Sequence, residues 1–208
     1  MEQPNFQYLL LDAAQCGIET IEGVMDLSKD KHHDSLYEFN ITSNHLKNVA
    51  PYIFESNDEI VSHYLELGWG KAWGLQLTTT ASFDEIRKHF RKFLKVLTED
   101  NKKVYFRFYD PVVLRIFLPT CSLQQLKDFF GPVEEFICED EDPQFALIFT
   151  FEKNKLVSKR VNAITIFPSV NTTRDSAIVP NEETISLNKV TEVTIELKAN
   201  RPARRFFD

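Results

Sequence analysis

Hydrophobic and polar residues alternate along several short runs of this chain, a pattern typical of β-strands. The most aromatic run, residues 104–109, ends before Pro111, which cannot donate a backbone hydrogen bond within a sheet. Alternation places Arg107 on the same face as Tyr109. Because an unpaired buried guanidinium is costly, this pattern predicts an ion pair with Asp110 or a recognition site at the strand end. We expect the rest of the chain to be organised around this strand.

Helical and strand patterns follow one another along the remaining sequence. Strands are predicted at residues 6–14, 49–54, 75–80, 133–138, 145–151, 161–167 and 193–198. Helices are predicted at residues 18–28, 58–67, 83–97, 112–118 and 123–130. The fold class that follows is α/β (α+β), with a mixed central β-sheet flanked by helices in residues 1–152. A short β-rich C-terminal extension is expected in residues 153–208.

Residues 68–74 form the most distinctive loop of the chain, with three glycines around Trp69 and Trp73. Glycine permits close backbone approach, and tryptophan supplies a large contact area. The loop is therefore either a turn packed by its tryptophans or an anchor for a binding partner, since tryptophan is enriched among binding hot spots.

The helix predicted at 83–97 has an apolar stripe and a basic opposite face. The basic face consists of Arg87, Lys88, Arg91, Lys92 and Lys95. It is either a solvated surface or a docking patch for an acidic partner. A second basic and aromatic segment lies in the C-terminal tail, at Arg204, Arg205, Phe206 and Phe207. This tail is either frayed or an anchor for a partner.

Composition narrows the class of protein. The net charge of −7 argues against a dedicated nucleic-acid binder. Three widely spaced cysteines predict neither a disulfide framework nor a metal site, and no apolar run is long enough for stable membrane insertion. Eighteen phenylalanines indicate a Phe-rich core or an apolar docking surface. No standard catalytic or cofactor motif is present, so we expect neither an enzyme nor a cofactor.

The order of short motifs resembles the type VI secretion adaptor/chaperone family. The motifs are Leu10-Leu11-Asp12-Ala13-Ala14, Ala50-Pro51-Tyr52, Gly68-Trp69-Gly70, Trp73-Gly74-Leu75, Ile86-Arg87-Lys88-His89-Phe90-Arg91-Lys92-Phe93, Arg107-Phe108-Tyr109-Asp110-Pro111-Val112-Val113-Leu114, Leu118-Pro119 and Phe129-Phe130-Gly131-Pro132. The resemblance covers residues 6–135. It implies a non-enzymatic protein of the bacterial cytoplasm that binds a secreted effector and helps load it onto the VgrG spike. Family members often have a larger, helix-rich second lobe, whereas the extension here is short and strand-like.

By position, the family motifs correspond to Trp69, Arg91, Arg107, Tyr109 and Asp110. The leading hypothesis is an adaptor with two binding surfaces. One surface combines the end of the 104–109 strand with the loop that contains Trp69 and Trp73, and the other is the C-terminal tail. The alternative is an immunity protein that blocks a toxin. A third hypothesis is a small hydrolase that uses Asp110 and His89.

Overall fold

The computed structural model describes residues 6–28, 30–39, 44–97, 102–167 and 191–194. The strands are β1 (Phe6–Asp12), β2 (His33–Ser35), β3 (Pro51–Glu55), β4 (Gly74–Thr79), β5 (Lys95–Leu97), β6 (Lys103–Tyr105), β7 (Val133–Glu139), β8 (Phe145–Glu152), β9 (Lys155–Asn162) and β10 (Thr191–Thr194). The helices are α1 (Ala13–Cys16), α2 (Ile18–Leu27), α3 (Asp58–Leu67), α4 (Phe83–Arg91), α5 (Pro111–Phe117), α6 (Leu123–Phe130) and α7 (Ala163–Ile166). Short 3₁₀ turns occupy Asn44–Val49 and Leu118–Thr120.

Eight strands form one sheet in the order β10-β9-β8-β7-β4-β1-β3-β2, and β5 and β6 form a separate two-stranded ribbon. The α+β class is confirmed. Every pairing among the described strands is antiparallel, so the expectation of a mixed sheet was wrong in that detail. Antiparallel pairing follows from short connections such as the turn between β8 and β9, since parallel neighbours need long crossovers.

The central strands are buried on both faces, which explains the continuous apolar run in β1. Leu10 belongs to the core on one face of the sheet, and Leu9 and Leu11 belong to the core on the other. The first core is the Phe-rich one predicted from composition, and it packs α4, α5 and α6 against the sheet. The second core packs α2, α3 and α7 against the other face of the sheet and contains Tyr52, Tyr64 and Trp69.

The predicted strand at 104–109 is the largest error of the sequence analysis. Only Lys103–Tyr105 is a strand, and it pairs with β5 in the ribbon at the periphery rather than at the centre of the sheet. Phe106 and Phe108 are both buried in the Phe-rich core, although neither residue lies in a strand. Their spacing therefore imitated strand alternation, while residues 106–110 turn the chain into α5.

Two other elements end differently from their predictions. The helix predicted at 83–97 ends at Arg91, and the next residues enter the core and then β5. The predicted strand at 161–167 is instead the end of β9 followed by α7, which begins at the cap residue Asn162. The other predicted strands and helices of residues 6–151 are present with small shifts of their ends.

The described part of the extension belongs to the same sheet as the rest of the chain. The predicted boundary at residues 152 and 153 falls at the turn between β8 and β9, where Lys153 and Asn154 both have positive φ. The two strands pair over eight positions. Of the predicted strand at 193–198, only its first residues lie among the described ones, within β10.

Candidate functional site

The site is centred on Arg107, whose guanidinium meets two carboxylates. Asp12, at the end of β1, is fully buried, and its Oδ2 accepts hydrogen bonds from Nε of Arg107 at 3.0 Å and from Nη2 at 2.5 Å. Oδ2 of Asp110 lies 3.6 Å from the same Nη2. We call these three residues the Arg107 cluster. The sequence indicated Asp110 as the partner, but the closer and more deeply buried partner is Asp12.

Both carboxylates of the Arg107 cluster also begin a helix. Oδ1 of Asp12 accepts a hydrogen bond from the Ala14 amide at 2.9 Å, and Oδ1 of Asp110 accepts one from the Val112 amide at 2.9 Å. These are N-cap contacts, which satisfy amides that have no partner within the helix. Arg107 therefore ties the start of α5 to the end of β1 and the start of α1.

Burial raises the pKa values of Asp12 and of the neighbouring Tyr109. Desolvation raises the pKa of Asp12, and the bonds from Arg107 and the Ala14 amide offset only part of that rise. Tyr109 is also buried, and desolvation together with the neighbouring Tyr37 hydroxyl raises its pKa. The guanidinium itself is less enclosed, because the Arg107 side chain is 39% exposed.

The loop of residues 68–74, called here the Trp loop, is bound to a carboxylate that the sequence analysis did not identify. Glu139, at the end of β7 and only 5% exposed, accepts hydrogen bonds from the Gly70 amide at 2.5 Å and the Ala72 amide at 2.7 Å. Gly70 and Ala72 both have positive φ, at 83° and 56°. Such a turn points successive amides toward one anion. In the sequence, nothing local distinguishes Glu139 from the other acidic residues of the run 139–142.

Burial of the Glu139 carboxylate disfavours its charged form. Desolvation raises its pKa, and the two amides of the Trp loop oppose that rise. The backbone carbonyl of Glu139 also accepts a hydrogen bond from Nη1 of Arg115 at 2.6 Å. Arg115 is on α5, so the same helix that starts at Asp110 also contacts the strand end that fixes the Trp loop.

The two tryptophans of this loop have different surroundings. Trp69 is buried, donates a hydrogen bond from Nε1 to the Pro143 carbonyl at 2.7 Å, and packs edge-on against Phe167. Trp73 is half-buried, with Nζ of Lys71 4.9 Å from its ring centre. The Trp73 carbonyl accepts a hydrogen bond from the Asp12 amide at 2.9 Å. The Trp loop and the Arg107 cluster are therefore directly connected.

The remaining predicted binding residues are divided between surface and core. Arg91 is half-buried and forms an ion pair with Glu38. Tyr109 and Asp110 are buried, at 1% and 7% exposure. The four tail residues, Arg204, Arg205, Phe206 and Phe207, lie outside the described residues. The structure thus connects the Trp loop with Arg107 and Asp110 through Trp73 and Asp12, whereas Arg91 on α4 pairs with Glu38.

The structure shows where the two residues of the hydrolase hypothesis, Asp110 and His89, and the three cysteines lie. Asp110 caps α5, whereas the Nε2 atom of His89 lies 2.8 Å from the Phe129 carbonyl, and no hydrogen bond joins the two within the described ranges. Cys16, Cys121 and Cys138 are all buried, and none of the three is in a disulfide. The described part of the chain contains no group of three or more His, Cys, Asp or Glu residues suited to a metal ion. It also contains no helix long and apolar enough to cross a membrane.

The fold and site define an α+β domain in which Asp12, Arg107 and Asp110 form one arginine–carboxylate cluster, connected to the Trp loop through the Trp73 carbonyl. Residues 7–128 match the family model described as domain of unknown function DUF4123, and the chain belongs to that family. The match includes Asp12, the Trp loop, Arg107 and Asp110, but ends before Glu139. Searches among curated proteins and among solved structures gave no significant match.

Proposed function

We propose that this protein is a non-enzymatic adaptor, or chaperone, of the bacterial cytoplasm. It binds a type VI secretion effector and helps load it onto the VgrG spike. The observation that carries the proposal is the family match over residues 7–128, which spans nearly all of the ordered motifs that resemble type VI adaptors. The connection of the Trp loop to the Arg107 cluster supports the proposal, because motifs that are far apart in the sequence form one connected site in the fold.

Within this proposal, the motif residues have two kinds of role. Trp69, Tyr109 and Asp110 are buried and act by holding the Trp loop and the start of α5 in place. Arg107 and Trp73 keep part of their side chains at the surface, where a partner can reach them. The basic and aromatic tail supplies a second contact, as arginine and phenylalanine are favoured in interfaces.

The test is capture of partners from a lysate of the native host by the tagged full-length chain, followed by mass spectrometry. We expect both a VgrG spike protein and a toxin-like effector. A full-length variant with Arg204, Arg205, Phe206 and Phe207 changed to alanine assigns a partner to the tail if that partner alone is lost. Capture of a toxin without any spike protein would contradict the adaptor function and favour an immunity protein. Capture of neither would contradict both.

A further inference from the structure

A basic surface with an exposed aromatic ring lies at the end of α4 and on the β5–β6 ribbon. We call it the basic-aromatic face, and it consists of Lys88, Lys92, Lys95, Lys103 and Tyr105. All five side chains are exposed. Lys95 and Tyr105 are cross-strand partners, and the next pair on that side of the ribbon includes Lys103. Lys92 directly follows α4, and Lys95 begins β5 three residues later, so the end of the helix leads into the ribbon.

Positive charge is concentrated in this part of the sequence, although the whole chain has a net charge of −7. Residues 87–107 contain eight of the 24 Lys and Arg residues but only two of the 31 Asp and Glu residues. Arg87 and Arg91 are paired with Asp34 and Glu38. By contrast, no ion pair within the described ranges involves Lys88, Lys92 or Lys95.

The helix C-terminus explains only part of this concentration. Basic residues in the last turn of a helix are favoured by its dipole, which accounts for Lys88 and Arg91. That effect falls off within the last turn, so it does not account for Lys95 on the ribbon. Lys95 therefore calls for a different explanation.

Tyr105 gives this face an apolar contact point. Its side chain is 55% exposed, yet its ring is held between Tyr37, 5.6 Å away, and Nζ of Lys95, 5.4 Å away. A ring that is already ordered loses little conformational entropy when a partner covers it. Tyrosine in such a position is typical of binding hot spots.

We propose that the basic-aromatic face binds an acidic segment of a protein partner that has apolar side chains among its Asp and Glu residues. The lysines would pair with the carboxylates, and an apolar side chain would pack on Tyr105. This inference rests on the proposed function and deepens it by giving the chemistry of the partner segment. A protein is favoured over nucleic acid because the chain as a whole has a net charge of −7, and its other surfaces would repel a long polyanion.

The test is fluorescence anisotropy of the full-length chain with three labelled probes at 50 mM NaCl. The first is a 16-residue peptide that repeats Glu-Asp-Phe-Glu, the second is its Gln/Asn counterpart, and the third is a 16-nucleotide oligothymidylate. The variant K92E/K95E reverses charge on the face. The variant K127E/K153E makes the same charge change at two exposed lysines outside it.

We expect the acidic peptide to bind more tightly than the other two probes. K92E/K95E should weaken it about tenfold, Y105S about threefold, and K127E/K153E less than about twofold. Equal losses in the two double variants, no binding by the wild type, or tighter binding of the oligothymidylate would each overturn the inference. If capture of the effector and spike succeeds while peptide binding fails, only this inference is wrong. If capture fails while the peptide binds as expected, the proposed function is wrong.

Discussion

The Arg107 cluster and the basic-aromatic face both place cationic side chains beside tyrosines, but their charges have opposite surroundings. In the cluster, Arg107 meets the fully buried Asp12, and Tyr109 is buried next to it. On the face, the lysines are exposed and Tyr105 remains open to solvent. The most recognisable motif of the chain therefore lies mainly where a partner cannot reach it.

The physical difference concerns what each charge does for the fold. Removing one member of a buried pair leaves the other desolvated and unpaired, which is strongly destabilising. An exposed lysine stays hydrated, so its charge contributes little to stability and remains available for association. The cluster and the Trp loop therefore serve mainly to stabilise the fold, whereas the basic-aromatic face is available to bind an acidic segment.

The largest effect on stability is expected from Trp69→Ala. This change removes a buried ring that packs against Tyr64 and Phe167, together with a hydrogen bond to the Pro143 carbonyl. We expect a loss of about 3–4 kcal/mol in the free energy of unfolding, measured by urea denaturation. Trp73→Ala serves as the control within the same loop, and its half-buried ring should cost less. An equal or larger cost for Trp73→Ala would contradict the assignment of Trp69 as the structural member.

Arg107→Ala should have the next largest effect. It leaves the buried Asp12 carboxylate without its guanidinium, and we expect a loss of about 2–3 kcal/mol. The value is below that of a fully buried pair because the Arg107 side chain is 39% exposed and partly screened. Arg107→Lys keeps the charge but not the paired donors, so it should lose less. Unchanged stability in Arg107→Ala, with loss of partner capture, would show that Arg107 serves recognition alone and does not stabilise the fold.

A smaller effect is expected at Glu139. Glu139→Ala removes the acceptor of the Gly70 and Ala72 amides and should cost about 1–2 kcal/mol at pH 7. Glu139→Gln keeps one acceptor oxygen and should cost less. Stability that is equal in Glu139→Ala and wild type would contradict the role of Glu139 in fixing the Trp loop.

The pH dependence of Glu139→Gln provides a second test of the same residue. The pKa of Glu139 is raised above its ordinary value of 4.5 in the folded protein, so the folded state holds its proton more tightly than the unfolded chain. Wild-type stability from this group therefore falls as the pH rises above 4.5 towards the folded pKa. The stability of Glu139→Gln relative to wild type should rise across that window. A fall, measured by denaturation at several pH values, would contradict the raised pKa.

The smallest effect on stability is expected for K92E/K95E. Both lysines are exposed and have no ion pair within the described part of the chain, so the free energy of unfolding should change by about 0.5 kcal/mol or less. The matched variant K127E/K153E should behave alike. A loss as large as that of Arg107→Ala would remove the distinction between the two regions.

Local signals predicted much of the fold. The predicted starts of the helices at residues 83 and 123 are correct, and capping boxes at Ser82 and Ser122 fix both starts in the structure. The strand β1 was predicted from its apolar run, which is continuous because β1 is buried on both faces. Residues 104–109 failed because tertiary packing buries Phe106 and Phe108 without a strand. Strand alternation alone cannot distinguish that arrangement from a sheet.

The candidate site was predicted less completely than the fold. The sequence identified Arg107, Asp110 and the Trp loop, but contacts between distant segments determine their partners. Asp12 lies 95 residues from Arg107, and Glu139 lies 69 residues from Gly70. Residues so far apart in the sequence form no local pattern that would predict their contact. A regular strand would place Tyr105 and Tyr109 on the same face, but Tyr105 is exposed and Tyr109 is buried, because the strand ends between them.

The most direct test of the account is the affinity of the acidic peptide for Arg107→Ala and K92E/K95E, measured side by side at a temperature where both are folded. The account predicts that Arg107→Ala binds within about twofold of wild type despite its lower stability, whereas K92E/K95E binds about tenfold more weakly at wild-type stability. The opposite result, with binding lost in Arg107→Ala and retained in K92E/K95E, would contradict the division between a structural cluster and a binding face.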